Sequence, residues 1–306
     1  SCRPSAKSPT TAGRPDPAPH ERYLWDTGFH WGEWLVPGDD VHDFEAFKAR
    51  DKADVATAYL AWSAAVAAQI GDLLGRVDDA ARLRDLAANA RAAWVAEFVG
   101  ADGTLTPDTQ ANHVRALAFD LVPPSMRQGV ADRLARLVRE NGSRLGTGFL
   151  ATPDLLPVLA DHGHLDAAYD LLFQREQPSW LAMIDRGATT MWELWEGIDA
   201  DGVPHESLNH YSKGAVISFF HRYVAGLRRT SPTWRTFEVA PKPGGGLTWA
   251  NARHTTPHGE AASAWRVEDG RFTLEVTVPP GCSATVRMPS GAVHADLTSG
   301  RHELSE

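Results

Sequence analysis

The sequence predicts a chain that is mainly α first and all-β after, and three observations predict it. Ala, Leu and Val recur three and four residues apart from about Asp54 to Gly226, which is the period of an amphipathic helix. From Thr236 onward the period drops to two, in short runs such as TFEVAP, LTWANARHT, AASAWRVE, RFTLEVTV and ATVRM, as half-buried strands require. Between those runs lie KPGGG, TPHGE, EDG, PPGC and PSG, all Gly/Pro turn chemistry.

In chain order, residues 1–22 are rich in Pro, Ser, Thr and Arg and read as a disordered leader or linker, or as the cut edge of something longer. The clearest helices are Asp54–Leu74, Asp78–Phe98, Thr109–Leu121, Met126–Glu140, Asp154–His162 and Leu165–Arg175. Turns such as DDA, DGT, NGS and HGH part them, with Gly or Asn available to end a helix in the left-handed conformation. Helix follows helix with no strand between, which excludes a parallel α/β sheet and favours an antiparallel helical array. No fixed-period repeat is visible, so the array is a toroid or an irregular bundle. RRTSPTW, from Arg228, closes the last helix. The rest reads as an antiparallel β-sandwich, either a carbohydrate-binding module or a stabilising cap.

Composition narrows the function. A formal net charge of −9 over 306 residues argues against nucleic acid as a partner, since such binders carry a basic stripe. Cys2 and Cys282 are the only cysteines, too few for a disulfide framework or a thiolate metal site. No run of about 18 apolar residues suggests a membrane span, and the N-terminus lacks the apolar core of a signal peptide, which favours a cytoplasmic location. The thirteen histidines form neither an HExxH nor a Cys/His zinc pattern, and GxSxG, a P-loop and GxGxxG before a helix are all absent, so neither metal nor cofactor is expected. PGGG at Pro243–Gly246 leads into a strand and reads as a hairpin, not a phosphate cradle.

Eleven tryptophans offer flat apolar faces suited to stacking on sugar rings, although most should be core. Two clusters combine indoles with carboxylates. In WDTGFHWGEWL, Trp25–Leu35, Asp26, His30 and Glu33 lie among Trp25, Trp31 and Trp34. Unpaired carboxylates are too costly to bury there without a purpose, the bland alternative being a capped and packed lead-in segment. In RGATTMWELWE, Glu193 is flanked by Trp192 and Trp195, and Glu196 follows three residues on, on the same face if the stretch makes one helical turn. Two groups so close cannot flank a sugar from both sides, so one is the candidate catalytic group and its partner lies elsewhere. In SLNHYSKGA, Asn209 is a candidate N-cap for the apolar helix that follows, and His210 is either structural or part of the site.

DTGFHWGEWL, the long segment LGTGFLATPDLLPVLADHGHLDAAYDLLFQREQPSWLAMIDRGATTMWELWEGI, LNHYSKGAV and VAPKPGGGLTWANARHTTPHGEAASAWRVEDGRFTLEVTVPPG together resemble the C-terminal portion of bacterial α-L-rhamnosidases, glycoside hydrolase family 78. The resemblance runs from about Tyr23 to the end of the chain. It implies an (α/α)6 toroid over 23–229, with its opening helices missing, and a β-sandwich over 230–306. It also implies hydrolysis of terminal α-L-rhamnose with inversion, on rhamnose-containing oligosaccharides or glycosides. The family's general base falls on Glu193, and its sugar-binding histidine on His210. Trp34 matches a family indole that lies against the sugar, and Asp26, Glu33, Trp180 and Trp195 are wall residues by motif membership. Glu196 stands where many members carry aspartate.

Nothing among these 306 residues matches the acidic, arginine-rich motif that carries the family's general acid ahead of GEWL. The expectation is therefore the latter part of a longer enzyme. Two alternatives stand beside it: an inactive fragment or sugar-binding module, and another (α/α)6 glycosidase acting on glucose- or uronate-terminated substrates.

Overall fold

The computed structural model describes residues 18–39, 43–199 and 201–306; most of the proposed leader, residues 1–17, lies outside them. The helical part opens with a 3₁₀ turn, Glu21–Tyr23, and a short helix α1, Phe44–Ala49. The Asp43 carboxylate caps α1 by accepting from the Ala46 N–H at 2.9 Å, one of the donors every helix start leaves unpaired.

Helices α2 (Ala53–Leu73) and α3 (Val77–Phe98) form the longest hairpin. Their facing surfaces are small: Ala58, Ala61, Ala64 and Ala68 on one, Ala80, Ala90 and Ala93 on the other are all buried. At Gly71 the backbones come so close that a Cβ would sit 3.1 Å from that of Ala80. Then follow α4 (Gln110–Ala118), α5 (Pro124–Glu140), α6 (Thr152–Asp161), α7 (Leu165–Leu172) and α8 (Trp180–Asp185). Thr109 and Ser179 N-cap α4 and α8, and α5 begins on a proline whose missing N–H costs nothing there. No helix among the described residues is long and apolar enough to cross a membrane.

The segment 188–198, read as a possible helical turn, is not helical. It pairs instead with residues 204–210: the Glu193 N–H donates to the Ser207 carbonyl and the His210 N–H to the Met191 carbonyl, both at 2.8 Å, and Ile198 bridges Pro204. After it the chain tightens through 3₁₀ (Ser212–Val216), α (α9, Ile217–Phe219) and π (Phe220–Val224) geometry. Tyr211, not Asn209, occupies the N-cap position, and no side chain caps this start.

Arg228 and Arg229, read as closing that helix, belong to a strand, β1 (Leu227–Arg229). Seven more strands follow: β2 (Thr236–Val239), β3 (Trp249–Thr256), β4 (Gly259–Glu268), β5 (Arg271–Val278), β6 (Ser283–Arg287), β7 (Val293–Leu297) and β8 (Gly300–Ser305). They form two four-stranded sheets, ordered β1-β2-β6-β7 and β3-β4-β5-β8. All pairings are antiparallel except β2 with β6, which is parallel. Between the sheets lies a core that includes Phe237, Trp265, Leu274 and Val286.

Sheets and helices share bonds at the point where they meet. The Trp265 indole donates to the Val224 carbonyl and the Ser263 hydroxyl to the Ala225 carbonyl, both at 2.7 Å. Lys242 donates through Nζ to the Ala160 carbonyl at 2.9 Å and accepts the Tyr169 hydroxyl at 2.7 Å. The glycines of PGGG have a packing reason: a Cβ on Gly244 or Gly245 would stand 2.4 or 2.3 Å from the rings of Tyr169 and Phe173. The run is not the expected hairpin, since the strands on either side of it, β2 and β3, belong to different sheets; it is a close approach of backbone to helix α7.

Candidate active site

A cavity of about 860 Å³ opens on the helical part, within the range of small-molecule sites. One wall comes from the lead-in segment: Trp25, His30, Trp31 and Trp34. A second comes from Tyr59 and Trp62 on α2 with Phe119 just beyond α4, joined as rings 5.0–6.0 Å apart, the separation of favourable edge and offset contacts. The third holds Phe149, Asp154, Glu193 and His210. Three sequence-predicted residues, Glu193, His210 and Trp34, are thus brought together by segments far apart in the chain.

Glu193 is half-buried, and its Oε2 accepts the Ser207 N–H at 3.3 Å. Its main-chain carbonyl accepts the ammonium of Lys213. The His210 ring lies between Phe149 and Tyr211, with ring centroids at 4.8 and 4.9 Å. Its Nδ1 accepts the Ser212 N–H at 3.4 Å, which in the neutral ring puts the proton on Nε2, ready to donate to an oxygen. Trp34 packs edge-on against Trp31 at 4.7 Å and Phe47 at 4.6 Å. Gly148 allows the Trp34 main chain its position, since a Cβ there would fall 2.2 Å from the Trp34 carbonyl oxygen.

Four expected wall residues do not reach this cavity. Glu33 points inward, paired with Arg115, which also binds Asp54 at 2.9 Å; its Oε1 accepts the Ala151 N–H at 3.0 Å. The guanidinium offsets only part of the cost of burying Glu33, whose carboxyl burial holds above the usual carboxylate range against the pull of Arg115. Trp195 and Trp180 are 1 % and 5 % exposed and pack edge-to-face on each other at 5.6 Å, behind the Glu193 stretch. Asp26 lines a separate cavity of about 240 Å³ with Lys48, Arg50 and Lys52, and His30 borders both. Glu196 is exposed and also lies outside the large cavity.

Sequence reasoning missed two ionisable groups here. Asp154, in the first turn of α6, faces the large cavity. Burial holds its carboxyl above the usual carboxylate range, with Arg222 pulling the other way. Lys213 is wholly buried, and burial brings it down to about 7 against the opposing pull of Glu196 and Glu193. Lys213 lies inside the SLNHYSKGA motif, so its neighbourhood was flagged although the residue was not. Asp154 carried no signal beyond a polar residue at a helix start.

The sequence profile of the bacterial alpha-L-rhamnosidase 6 hairpin glycosidase domain matches residues 15–224, and that of the bacterial alpha-L-rhamnosidase C-terminal domain matches 226–303. The chain belongs to the bacterial α-L-rhamnosidase family. An alpha-L-rhamnosidase of Streptomyces avermitilis is 40 % identical over 276 residues, covering 89 % of this chain and 26 % of that protein. One from Alteromonas sp. (strain LOR) is 32 % identical, covering 89 % and 30 %.

The crystal structure of the Streptomyces avermitilis alpha-L-rhamnosidase complexed with L-rhamnose superposes with a TM-score of 0.84 at 36 % identity, over 93 % of this chain and 29 % of that one. The native Aspergillus terreus enzyme gives 0.87 at 33 %, over 92 % and 34 %. This rhamnosidase-family chain therefore spans about a quarter to a third of the length of these relatives. Its architecture is the helical hairpin array of a partial (α/α)6 toroid followed by the C-terminal sandwich of that family.

Proposed function

We propose that this chain carries the base side of an inverting glycosidase site that removes terminal non-reducing α-L-rhamnose, with Glu193 as general base. The observation that carries the reading is the placement of Glu193: a carboxylate on a stretch pinned by main-chain bonds, opening into an aromatic cavity shared with His210 and Trp34. In this reading Glu193 takes a proton from a water that attacks the anomeric carbon opposite the leaving oxygen. A general acid on the far side, about 6.5–9.5 Å from the base, protonates that oxygen. His210 donates to a ring hydroxyl, and Trp34 stacks on the sugar's C–H face. Rhamnose lacks a 6-hydroxyl, and its methyl group suits the apolar wall of Val55, Ala56, Leu150 and Pro153, which would leave a hydroxyl unpaired.

A second reading, binding of rhamnose without turnover, is supported by the aromatic lining of the same cavity, Trp25, Trp31, Trp34 and Trp62, since ring stacking alone can hold a sugar. Hydrolysis of 4-nitrophenyl α-L-rhamnoside by the purified chain separates the two. Turnover that E193Q abolishes supports the first; saturable binding of L-rhamnose with no turnover supports the second. A panel of aryl glycosides then tests the sugar: cleavage of a glucoside or glucuronide with none of the rhamnoside would overturn the assignment to rhamnose.

A further inference from the structure

Lys213 is 0 % exposed, an unusual fate for a lysine without a carboxylate on its ammonium. Its Nζ donates to the main-chain carbonyl of Glu193 and lies over the rings of Trp195 at 4.7 Å and Phe149 at 5.2 Å. Cation–π attraction and the fields of Glu196 and Glu193 offset part of the desolvation. An apolar side chain of similar length would fill the same space with no charge to desolvate. The amine has something to do that methionine could not.

That task lies in the stretch it touches. Residues 188–198 have no helix of their own to hold them. The Glu193 N–H is bound outward to Ser207 and its C=O inward to Lys213. Together these bonds fix the two peptide planes that flank its Cα, and with them the direction in which the side chain leaves the backbone. Lys213 is itself held, because its own carbonyl accepts the Trp180 indole N–H at 3.0 Å. The neighbouring Ser212 N–H meets His210 Nδ1, so one short element serves both the carboxylate and the histidine.

We propose that Lys213 is the positioning residue of this site: from beneath the cavity floor its ammonium clamps the main-chain carbonyl of Glu193 and so aims the carboxylate. The proposal rests on Glu193 being the base, and its test keeps the two ideas apart. Crystal structures of the full chain carrying K213M or K213R are compared with wild type, and the same proteins are assayed on 4-nitrophenyl α-L-rhamnoside. In K213M the Glu193 main chain shifts by about 1 Å and kcat falls about 10²-fold, the usual consequence of such a misplacement. KM stays within about threefold, since binding contacts remain. K213R, which keeps a cationic donor, returns kcat to within about tenfold of wild type.

An unmoved Glu193 in the K213M crystal, or an unchanged kcat with only a lower melting temperature, overturns the clamp. Wild-type turnover that E193Q leaves unchanged sinks the base reading alone, and the crystal structures then still decide whether Lys213 holds the stretch. K213Q, whose amide falls short of the carbonyl, carries the same expectations if K213M does not fold.

Discussion

WDTGFHWGEWL and TTMWELWE look alike on paper, each a carboxylate set among tryptophans, yet the fold uses them in opposite senses. In the first, the carboxylate of Glu33 is buried on Arg115 while Trp25, Trp31 and Trp34 face the cavity. In the second, Trp192 and Trp195 are buried while Glu193 faces the cavity. What decides is the partner. A guanidinium at hydrogen-bonding distance draws Glu33 inward. Glu193 has no such guanidinium among the described residues and stays half-buried at the cavity.

The sharpest way to break this contrast is to neutralise each glutamate in turn. E193Q should lower hydrolysis of an aryl rhamnoside by about 10²–10⁴-fold, the usual worth of a positioned base, with an unchanged melting temperature. E33Q should do the reverse. Arg115 keeps Asp54 but loses the Glu33 carboxylate, a cost of about 1–3 kcal/mol read as a lower urea midpoint, while the folded fraction keeps its kcat. If E33Q lost activity without losing stability, the two segments would have to exchange roles.

The indoles give the next test. W34A should weaken L-rhamnose binding by about 0.5–1.5 kcal/mol, the scale of an aromatic face contact, measured by calorimetric titration. Asp154, with a share of both environments, should show the smallest effect. Its folded-state pKa is raised by burial, so the folded chain holds this proton more tightly than the unfolded one, and stability is lost as pH rises from the unfolded to the folded pKa. D154N should therefore gain on wild type between acid and neutral pH, by an amount on the order of 1 kcal/mol. A stability difference that does not vary with pH would refute the burial of this group.

Helices α2 to α7 were legible because their cues are local. Alanine and leucine at helical period place each of them to within a few residues of the observed bounds, helped at the ends of α2, α3 and α5 by a nearby Gly or Asn. The failures have two causes, distant partners and exposure. Residues 188–198 carry helix-like spacing, but their bonds come from residues up to 20 positions away, as between Glu193 and Lys213. Strands β7 and β8 are largely exposed, so no apolar alternation announced them. Glu33 looked like a site residue because Arg115 stands 82 positions further on. Glu193, His210 and Trp34 were reached through motif resemblance, and composition alone would not have separated Glu193 from Glu196.

The hydrogen bonds from Trp265 and Ser263 to the carbonyls of Val224 and Ala225 bear on how the chain melts. A π-turn ends at Val224, where carbonyls need outside donors, and the sandwich supplies them across the very point at which the two family profiles divide. The two profiles thus meet where helices and sheets share hydrogen bonds. Heat should take helices and sheets apart together, in a single calorimetric peak, and cleavage near Gly226 should leave the helical part without a finished end.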